Sequence, residues 1–399
     1  MKCFLIFYIV LLLFMGITSC SPENVAGDGL DKALGEGKVS EDIENLYESI
    51  DAIQLSAGVE HTCAVMRNGT VTCWGASYKG SIGIEESEAN REGYMLSGTA
   101  VNGLTTVVNS ASSHWATCVV LSGGSAKCWG NNQTDENSTV PYTPVSITGI
   151  SKAIQVSVSY STVCALLNDG TIKHWKWIDY SSESTTPELV ADISDAIQVT
   201  CGLGHKCALL NNGKVMCWGN NLKGNLGDGT GVLSVTPVAV SDISSATQIT
   251  ASEDFSCALL ANGTIECWGG GVRGRLGNGS TADQLSPVPV TGISTATKLA
   301  ESDVYTETQH MCAVLEDGSV KCWGRGDYGQ LGTGDLEDQS TPATVQGISN
   351  ATNVAVGSFH TCAILQEGKV FCWGRGEFGQ LGYGGRNDKT NPVEAIIFE

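Results

Sequence analysis

The cysteines are the residues whose spacing most directly suggests chemistry. Of the sixteen cysteines, twelve form six pairs in which the second cysteine follows the first by ten residues. Cysteines that recur in pairs form disulfides or hold a metal ion such as zinc. The six pairs are Cys63 and Cys73, Cys118 and Cys128, Cys207 and Cys217, Cys257 and Cys267, Cys312 and Cys322, and Cys362 and Cys372.

A glycine six residues after the first cysteine of each pair, such as Gly213 after Cys207, favours one of these chemistries. A three-residue hairpin loop with that glycine in the left-handed region places the two cysteines opposite each other on adjacent strands. Their Cα separation there suits a disulfide. Zinc is disfavoured because the pairs lack the short C-x2–4-C spacing and a tetrahedral site needs four ligands together. We therefore predict six hairpin disulfides and no metal site.

The stretch "GRGDYGQLGTG", residues 324–334, carries two further signals. Gly324, Gly326 and Gly329 match the G-x-G-x-x-G pattern of loops that bind a dinucleotide cofactor. Arg325, Gly326 and Asp327 form the tripeptide that many adhesion proteins present to cell-surface receptors. The secondary structure on either side of this stretch decides whether it is a dinucleotide loop, an adhesion tripeptide or a structural turn.

Histidine and acidic residues suggest no catalytic site. Four histidines each lie two residues before a cysteine, which is typical of a structural position that recurs in a repeat. They are His61, His205, His310 and His360. The sequence contains no G-x-S-x-G or H-E-x-x-H motif, and no carboxylate pair departs from the repeat. We therefore expect a protein that is not an enzyme and has no cofactor.

An internal repeat must position all of these residues. The segments "GHKCALLNNGKVMCWGNNLKGNLGDG" and "FHTCAILQEGKVFCWGRGEFGQLGYG" align without gaps, and five further copies bring the total to seven. Each copy contains short β-rich runs, a glycine turn and a Pro-Val strand, so about four strands per repeat predict the blade of a β-propeller. One tryptophan marks each copy: Trp74, Trp129, Trp175, Trp218, Trp268, Trp323 and Trp373.

The unit "HTCAxLxxGxVxCWGxxxxGQLGxG", followed by Pro-Val, resembles the repeat of the regulator of chromosome condensation family. The resemblance covers about residues 51–399 and implies an all-β fold, a seven-bladed β-propeller with four short antiparallel strands per blade. It also implies that repeats and blades can be out of phase, with both chain ends completing one blade. The C-terminal "NPVEAIIFE" is then expected to close the ring against the first unit.

The repeat answers both questions about residues 324–334. The glycine pattern recurs at Gly374, Gly376 and Gly379, where a Pro-containing strand follows instead of the helix that a dinucleotide site needs. These glycines are therefore interpreted as turns. The matching tripeptide of the last unit is Arg375-Gly376-Glu377, so Arg325-Gly326-Asp327 is interpreted as a family turn, with receptor binding as the alternative.

Two cysteines of the repeat region remain unmatched. Cys164 opens the third unit, but His174 occupies the position of its partner, and Cys201 lies outside the hairpin pattern in the fourth unit. Neighbouring units pack side by side in a propeller. We therefore predict a Cys164–Cys201 disulfide that joins two blades.

The N-terminus predicts export. Lys2 precedes the apolar run "CFLIFYIVLLLFMGI", and Ile17-Thr18-Ser19-Cys20 looks like the lipobox of bacterial lipoproteins, with an ordinary secretory signal as the alternative. We divide the chain into a signal peptide (1–19), a flexible acidic tether (20–50) and the propeller (51–399). Lipidation of Cys20 would anchor the protein to the cell envelope, at the outer membrane or the cell surface.

The net charge limits the classes of partner that the protein can bind. With 42 acidic and 22 basic residues, the net charge of −20 opposes binding to nucleic acid. We expect a monomeric, lipid-anchored scaffold outside the cytoplasm that presents a propeller face to an unidentified protein partner. The alternative is an inhibitor of an exported or periplasmic enzyme, since a similar secreted propeller inhibits β-lactamases. The guanine-nucleotide exchange known for the founding family member fits this compartment and charge less well.

Overall fold

A computed structural model describes residues 51–85, 93–130, 142–160, 162–177, 186–300 and 310–397. Signal peptide, Cys20 and tether lie outside these ranges. Seven four-stranded antiparallel sheets are formed by the described residues, each by four consecutive strands. The fold is the seven-bladed β-propeller expected from the repeats. Two single turns of 3-10 helix, Tyr78–Gly80 and Val272–Gly274, interrupt the loops, and no helix of the described ranges is long and apolar enough to span a bilayer.

The strands are numbered in chain order. The first strands of the blades are β1 (Ala52–Ala57), β5 (Val107–Ser113), β9 (Ala153–Ser159), β13 (Ala196–Cys201), β17 (Ala246–Ala251), β21 (Ala296–Leu299) and β25 (Ala351–Val356). The second strands are β2 (His61–Met66), β6 (Ala116–Leu121), β10 (Thr162–Leu167), β14 (His205–Leu210), β18 (Phe255–Leu260), β22 (His310–Leu315) and β26 (His360–Leu365).

The third and fourth strands complete each blade. The third strands are β3 (Val71–Ala76), β7 (Ala126–Gly130), β11 (Ile172–Lys176), β15 (Val215–Gly219), β19 (Ile265–Gly269), β23 (Val320–Gly324) and β27 (Val370–Gly374). The fourth strands are β4 (Tyr94–Ala100), β8 (Val145–Ser146), β12 (Glu188–Leu189), β16 (Ser234–Ala239), β20 (Gln284–Pro289), β24 (Gln339–Thr344) and β28 (Lys389–Glu394).

First strands of neighbouring blades contact one another around the ring, and β25 of blade seven contacts β1 of blade one. The first strands therefore lie innermost and the fourth strands form the outer rim. The inner strands are joined by amide side chains: Gln198 donates to the carbonyl of Ile249 (2.9 Å) and accepts from its N–H (2.8 Å). Gln248 bonds Leu299 in the same way, so these amides link the inner strands of blades four, five and six.

One set of side-chain hydrogen bonds recurs between neighbouring blades and is here called the joint. Between blades six and seven, Trp373 Nε1 and Thr361 Oγ1 both donate to the carbonyl oxygen of Gln330, each over 2.8 Å. Thr361 Oγ1 also bonds His310 Nε2 (2.6 Å). Gly332 completes the joint, because its φ of +68° favours glycine and an added Cβ would lie 2.8 Å from Trp373 Nε1. This geometry explains the glycines of the "GQLG" loop as packing positions.

Ring closure differs from the expectation in one respect. The C-terminal strand β28 pairs with β27 in its own blade and adds no strand to blade one. Because the first repeat already begins with its inner strand at Ala52, blade one lacks no strand for the C-terminus to supply. The ring closes through the repeated joint, in which Trp74 Nε1 and Thr62 Oγ1 donate to the Gln380 carbonyl over 2.9 and 3.0 Å. The segment after β28 contacts blade one through a backbone bond from Gly98 N to Ile396 O (2.7 Å).

Six hairpin disulfides reinforce the described blades, one in every blade except the third. Each joins the second strand of a blade to the third strand, at directly opposed positions with Cα separations of 4.0–4.1 Å. The bonded pairs are those that the offset of ten predicts. They are Cys63 with Cys73, Cys118 with Cys128, Cys207 with Cys217, Cys257 with Cys267, Cys312 with Cys322, and Cys362 with Cys372.

A seventh disulfide joins two blades. Cys164 in β10 is bonded to Cys201 in β13, with Cα atoms 6.6 Å apart, and so links blades three and four. His174 lies opposite Cys164 across the hairpin, where the other blades place a cysteine. Seven disulfides in one chain indicate an oxidising compartment outside the cytoplasm.

Candidate functional site: an aromatic arc on the loop face

One end of the propeller, here called the loop face, carries the glycine-rich loops of the repeat. Because the four strands of a blade alternate in direction, the first-to-second and third-to-fourth connections emerge at the same end. The glycine-rich stretches such as 324–334 all lie there. The segments 86–92, 131–141, 178–185 and 301–309 depart from the repeat in sequence and fall outside the described residues.

Two groups of ring contacts lie side by side on the loop face. Tyr328 and Phe359 have ring centroids 5.2 Å apart. Tyr78 lies 6.1 Å from Phe378 and 5.8 Å from Trp115, both edge to face. His114 stacks on Trp115 at 3.9 Å and reaches Tyr160 at 5.4 Å. We name this series the aromatic arc: Tyr328, Phe359, Phe378, Tyr78, Trp115, His114 and Tyr160.

The arc draws its members from five blades. Loops of blades six, seven, one, two and three each contribute at least one ring. All members except the buried His114 are half-buried, so each ring packs on a neighbour and keeps part of its surface in solvent. The rings are thereby fixed before a ligand arrives, which lowers the entropy cost of binding.

Two cations are inserted between the rings. The Arg375 guanidinium lies 5.2–5.4 Å from the centroids of Tyr328, Phe359 and Phe378 and bridges the gap between them. The Lys79 ammonium lies 4.5 Å above Trp115. Both contacts have the geometry of cation–π interactions, which hold the rings in place and put positive charge on the face of an acidic protein.

A buried acid lies beneath Arg375 at the seam of blades seven and one. Glu60 Oε1 is 3.8 Å from Arg375 Nη1, and Glu60 Oε2 has no hydrogen-bond partner among the described residues. Burial raises the pKa of Glu60 to about 7, although the charge of Arg375 acts in the opposite direction. Arg375 also pairs with the exposed Glu377. Glu60 is therefore partly protonated near neutral pH.

The repeated histidines lie inside the seams. His61, His205 and His310 each bond through Nε2 to a hydroxyl of the next blade, on Thr117, Ser256 and Thr361 at 3.0, 2.8 and 2.6 Å. His360 bonds Thr62 of blade one at 2.8 Å. Burial lowers the pKa of each of these four imidazoles to about 3. Their role is to join blades.

The tripeptide Arg325-Gly326-Asp327 forms a turn on the loop face of blade six. Arg325 Nε donates to Asp327 Oδ1 (2.6 Å), and Gly326 N donates to Asp338 Oδ1 (2.9 Å). Arg273 Nη1 of the neighbouring loop lies 3.9 Å from Asp327 Oδ2. The same turn recurs in blade seven, where Gly376 N donates to Asp388. The Asp327 carboxylate therefore already has cationic partners, and receptor binding by this tripeptide remains an untested prediction.

Sequence reasoning missed the aromatic arc. Its rings do not share one position of the repeat: Trp115 and Phe359 precede second strands, whereas Tyr78 and Phe378 lie in third-to-fourth loops. The available signal was an aromatic residue at a loop position that varies between copies, but only the ring geometry shows that these positions adjoin.

Family models of the "Regulator of chromosome condensation (RCC1) repeat" match this chain in several places. One model matches residues 212–259, 317–364 and 367–399. A second model of the same repeat matches residues 52–81, 196–225 and 351–380. The chain is an RCC1-repeat propeller. RCC1-like propellers are general protein-interaction scaffolds, which is the broad function class of this chain.

Solved RCC1-like structures share the fold. Human WBSCR16 superposes with a TM-score of 0.70 at 19% identity, over 82% of this chain and 94% of that one. Yeast RCC1 (Prp20), solved with bound Kap60, gives a TM-score of 0.53 at 20% identity, over 86% and 74% of the two chains. Prp20p from Saccharomyces cerevisiae, described with its binding to Gsp1p and histones, gives 0.51 at 19%, over 86% and 76%. At identities of 19–20%, these similarities show a shared fold alone.

Proposed function

We propose that this protein is a lipid-anchored scaffold outside the cytoplasm that binds a protein partner through the aromatic arc. The observation that carries the proposal is the series of mostly half-buried rings from five blades, in which Arg375 bridges Phe359 and Phe378 and Lys79 lies over Trp115. Tyr, Trp and Arg dominate the binding energy of protein–protein interfaces. The seven disulfides support the compartment.

The electrostatics of the arc also favour a protein ligand. The net charge of −20 repels nucleic acid and anionic lipid, whereas Arg375 and Lys79 place positive charge beside the rings of the arc. Nearby acids, Glu60 and Glu377, set the position of Arg375 and leave its guanidinium between the rings. The arc can therefore anchor aliphatic or aromatic side chains of a partner and orient them by charge.

Removal of two central rings is expected to abolish capture of the partner. Tyr78→Ala with Trp115→Ala deletes the middle of the arc, and loss of hot-spot rings of about 2 kcal/mol each corresponds to a fall in affinity of more than about 100-fold. Crosslinking on intact cells followed by mass spectrometry identifies the partner of the unchanged chain. The same measurement on the double variant should recover little of it.

Lys214→Ala supplies the matched control, because Lys214 is exposed at the hairpin end of blade four, opposite the loop face. The control should capture the partner as the unchanged chain does, and both variants should keep the parent melting temperature within a few degrees. Crosslinks that map to the hairpin end, or capture that survives loss of both rings, would show that another surface binds. A partner that is an exported enzyme, and that loses activity when bound, would identify the protein as an inhibitor.

The proposed membrane anchor has its own test. Metabolic labelling with an acyl-chain analogue should mark the chain at Cys20, and Cys20→Ala should remove both the label and the retention in membranes. Retention and label that persist after this substitution would refute the anchor and the proposed division into signal peptide (1–19), tether (20–50) and propeller (51–399). The binding test on the arc would be unaffected.

A further inference from the structure

The Arg375 guanidinium connects the two groups of rings in the aromatic arc. It lies 5.4 Å from the Tyr328 centroid and 5.2 Å from the Phe359 centroid in the first group, and 5.3 Å from the Phe378 centroid in the second. Tyr328 contacts Phe359, and Phe378 contacts Tyr78, but among the described residues no ring of one group contacts a ring of the other. The position of Arg375 therefore decides whether the two groups form one surface.

Two carboxylates hold this guanidinium. Glu377 pairs with it from the same loop and exposes 51% of its side chain, whereas Glu60 of blade one lies 3.8 Å from Arg375 Nη1 and exposes 11%. An ion pair in solvent contributes little to the position of a side chain, and an ion pair shielded from solvent contributes more. Glu60 is therefore the acid that fixes Arg375 against the rings.

The equivalent arginine of blade six shows that the turn forms without such an acid. Arg325 pairs with Asp327 in its own loop and lies over one described ring, that of Tyr328, at 5.5 Å. At the seam of blades six and seven, Phe359 occupies the position that Glu60 has at the seam of blades seven and one. The buried acid is therefore an addition at one seam and not a requirement of the repeat.

The surroundings of the Glu60 carboxyl make its charge depend on pH. The residue is 8% exposed, and Oε2 has no hydrogen-bond partner among the described residues. Desolvation opposes ionisation, the charge of Arg375 favours it and Glu377 opposes it, with the result that the pKa of Glu60 is raised to about 7. Glu60 therefore gains or loses a proton near neutral pH.

The histidines around this seam stay neutral over the same range. His61 follows Glu60 in the chain, and His114 and His360 act on His61 electrostatically. Burial lowers the pKa of His61 and His360 to about 3 and that of His114 to about 4, and Lys79 adds a cation beside His114. Among Glu60 and these imidazoles, only Glu60 changes charge between pH 6 and 8.

We propose that Glu60 and Arg375 form a proton-dependent switch that regulates binding at the aromatic arc. Ionised Glu60 holds the guanidinium between the rings, so the two groups form one surface. Protonated Glu60 leaves Arg375 with the exposed Glu377 alone, and the connection between the groups weakens. The regulatory part rests on the arc as the binding site. A partner that binds the ionised form more tightly loses affinity as pH falls through about 7.

Arginine labelling with phenylglyoxal tests the switch without a partner. The full disulfide-bonded chain is labelled between pH 6 and 8.5, and mass spectrometry gives the ratio of label on Arg375 to label on Arg325. This ratio cancels the pH dependence of the reagent, because the two side chains are similarly shielded, with 20% and 15% exposed. We expect the ratio to fall at least threefold as pH rises through 7, because ionised Glu60 then holds Arg375.

Two variants assign the effect to one carboxyl. Glu60→Gln keeps the shape of the side chain and should hold the ratio at its low-pH value throughout. Glu377→Gln, which removes the exposed partner of Arg375, is the matched control and should retain the pH dependence. A ratio in the unchanged chain that does not respond to pH would overturn the switch, and so would a response that survives in folded Glu60→Gln.

Binding of the partner identified by crosslinking tests the regulation. Its dissociation constant should be about tenfold higher at pH 6 than at pH 8, which corresponds to a shift of one unit in the pKa of Glu60 on binding. Glu60→Gln should bind weakly at both pH values. Equal affinity at the arc at pH 6 and 8 would overturn the regulation. A partner that binds another surface would refute the proposed function of the arc, whereas a labelling ratio that follows pH would still support the switch.

Discussion

Lowering the pH from 7 to 4 is expected to destabilise the propeller steeply through the four seam histidines. The Thr62 hydroxyl donates to the Gln380 carbonyl, so the His360 Nε2–H must donate to that hydroxyl. Protonation would add a proton at Nδ1, and Nδ1 of His61, His205, His310 and His360 has no hydrogen-bond partner among the described residues. The folded state therefore opposes the imidazolium form, in agreement with a pKa of about 3.

The sign of the effect follows from proton binding in the two states. Between pH 3 and 6.5 the unfolded chain binds a proton on each of these histidines and the folded chain does not, so stability falls as pH falls through this window. Four such groups give a slope of up to about 5 kcal/mol per pH unit. Glu60, with a folded pKa raised to about 7, acts in the opposite direction between pH 4.5 and 7. His114, whose folded pKa burial lowers to about 4, offsets it, so the four seam histidines set the net slope.

Denaturant unfolding at a series of pH values, with disulfides intact, measures this slope. His205→Gln keeps an N–H donor for Ser256 but removes one titrating group, so the slope should shrink by about a quarter. Lys214→Ala, at the exposed hairpin end, should leave the slope unchanged. A free energy of unfolding that stays level between pH 7 and 4 would show that the imidazoles are protonated within the fold.

Loss of the disulfide between blades three and four is also expected to lower the free energy of unfolding by a large amount. Replacement of Cys164 and Cys201 by serine opens a loop of sequence separation 37, which corresponds to about 4 kcal/mol on the chain-entropy account. Both cysteines are fully buried, so the new hydroxyls add a desolvation cost. Blade three has no hairpin disulfide of its own. We therefore expect unfolding of this blade to account for most of the lost free energy of unfolding.

A hairpin pair supplies the comparison. Cys257→Ser with Cys267→Ser removes a loop of separation 10 and should cost less, about 3 kcal/mol. Denaturant unfolding gives both free energies, and limited proteolysis should cut the first variant within residues 153–201 before other segments. Non-reducing peptide mapping of the unchanged protein is decisive for the bond itself, since free thiols at both positions would exclude it.

The sequence by itself determined what depends on contacts within one repeat. The offset of ten between Cys207 and Cys217, with Gly213 between them, implies a hairpin because a three-residue loop leaves one cross-strand register. The same register opposes Cys73 to Cys63 in blade one and Cys372 to Cys362 in blade seven. Trp373 and the "GQLG" loop recur in most copies because five seams of the described residues use the same indole, carbonyl and glycine. Repetition makes such local requirements visible in a single chain.

Only the tertiary structure decided what depends on which blades adjoin. Ring closure rests on Trp74 and Thr62 meeting Gln380, residues some 300 positions apart, rather than on a strand from the C-terminus. The aromatic arc brings Tyr328 and Tyr160 onto one face through loops of different length. These features lie between repeats, where side-chain direction and distance are set by closure of the ring and leave no periodic trace in the sequence.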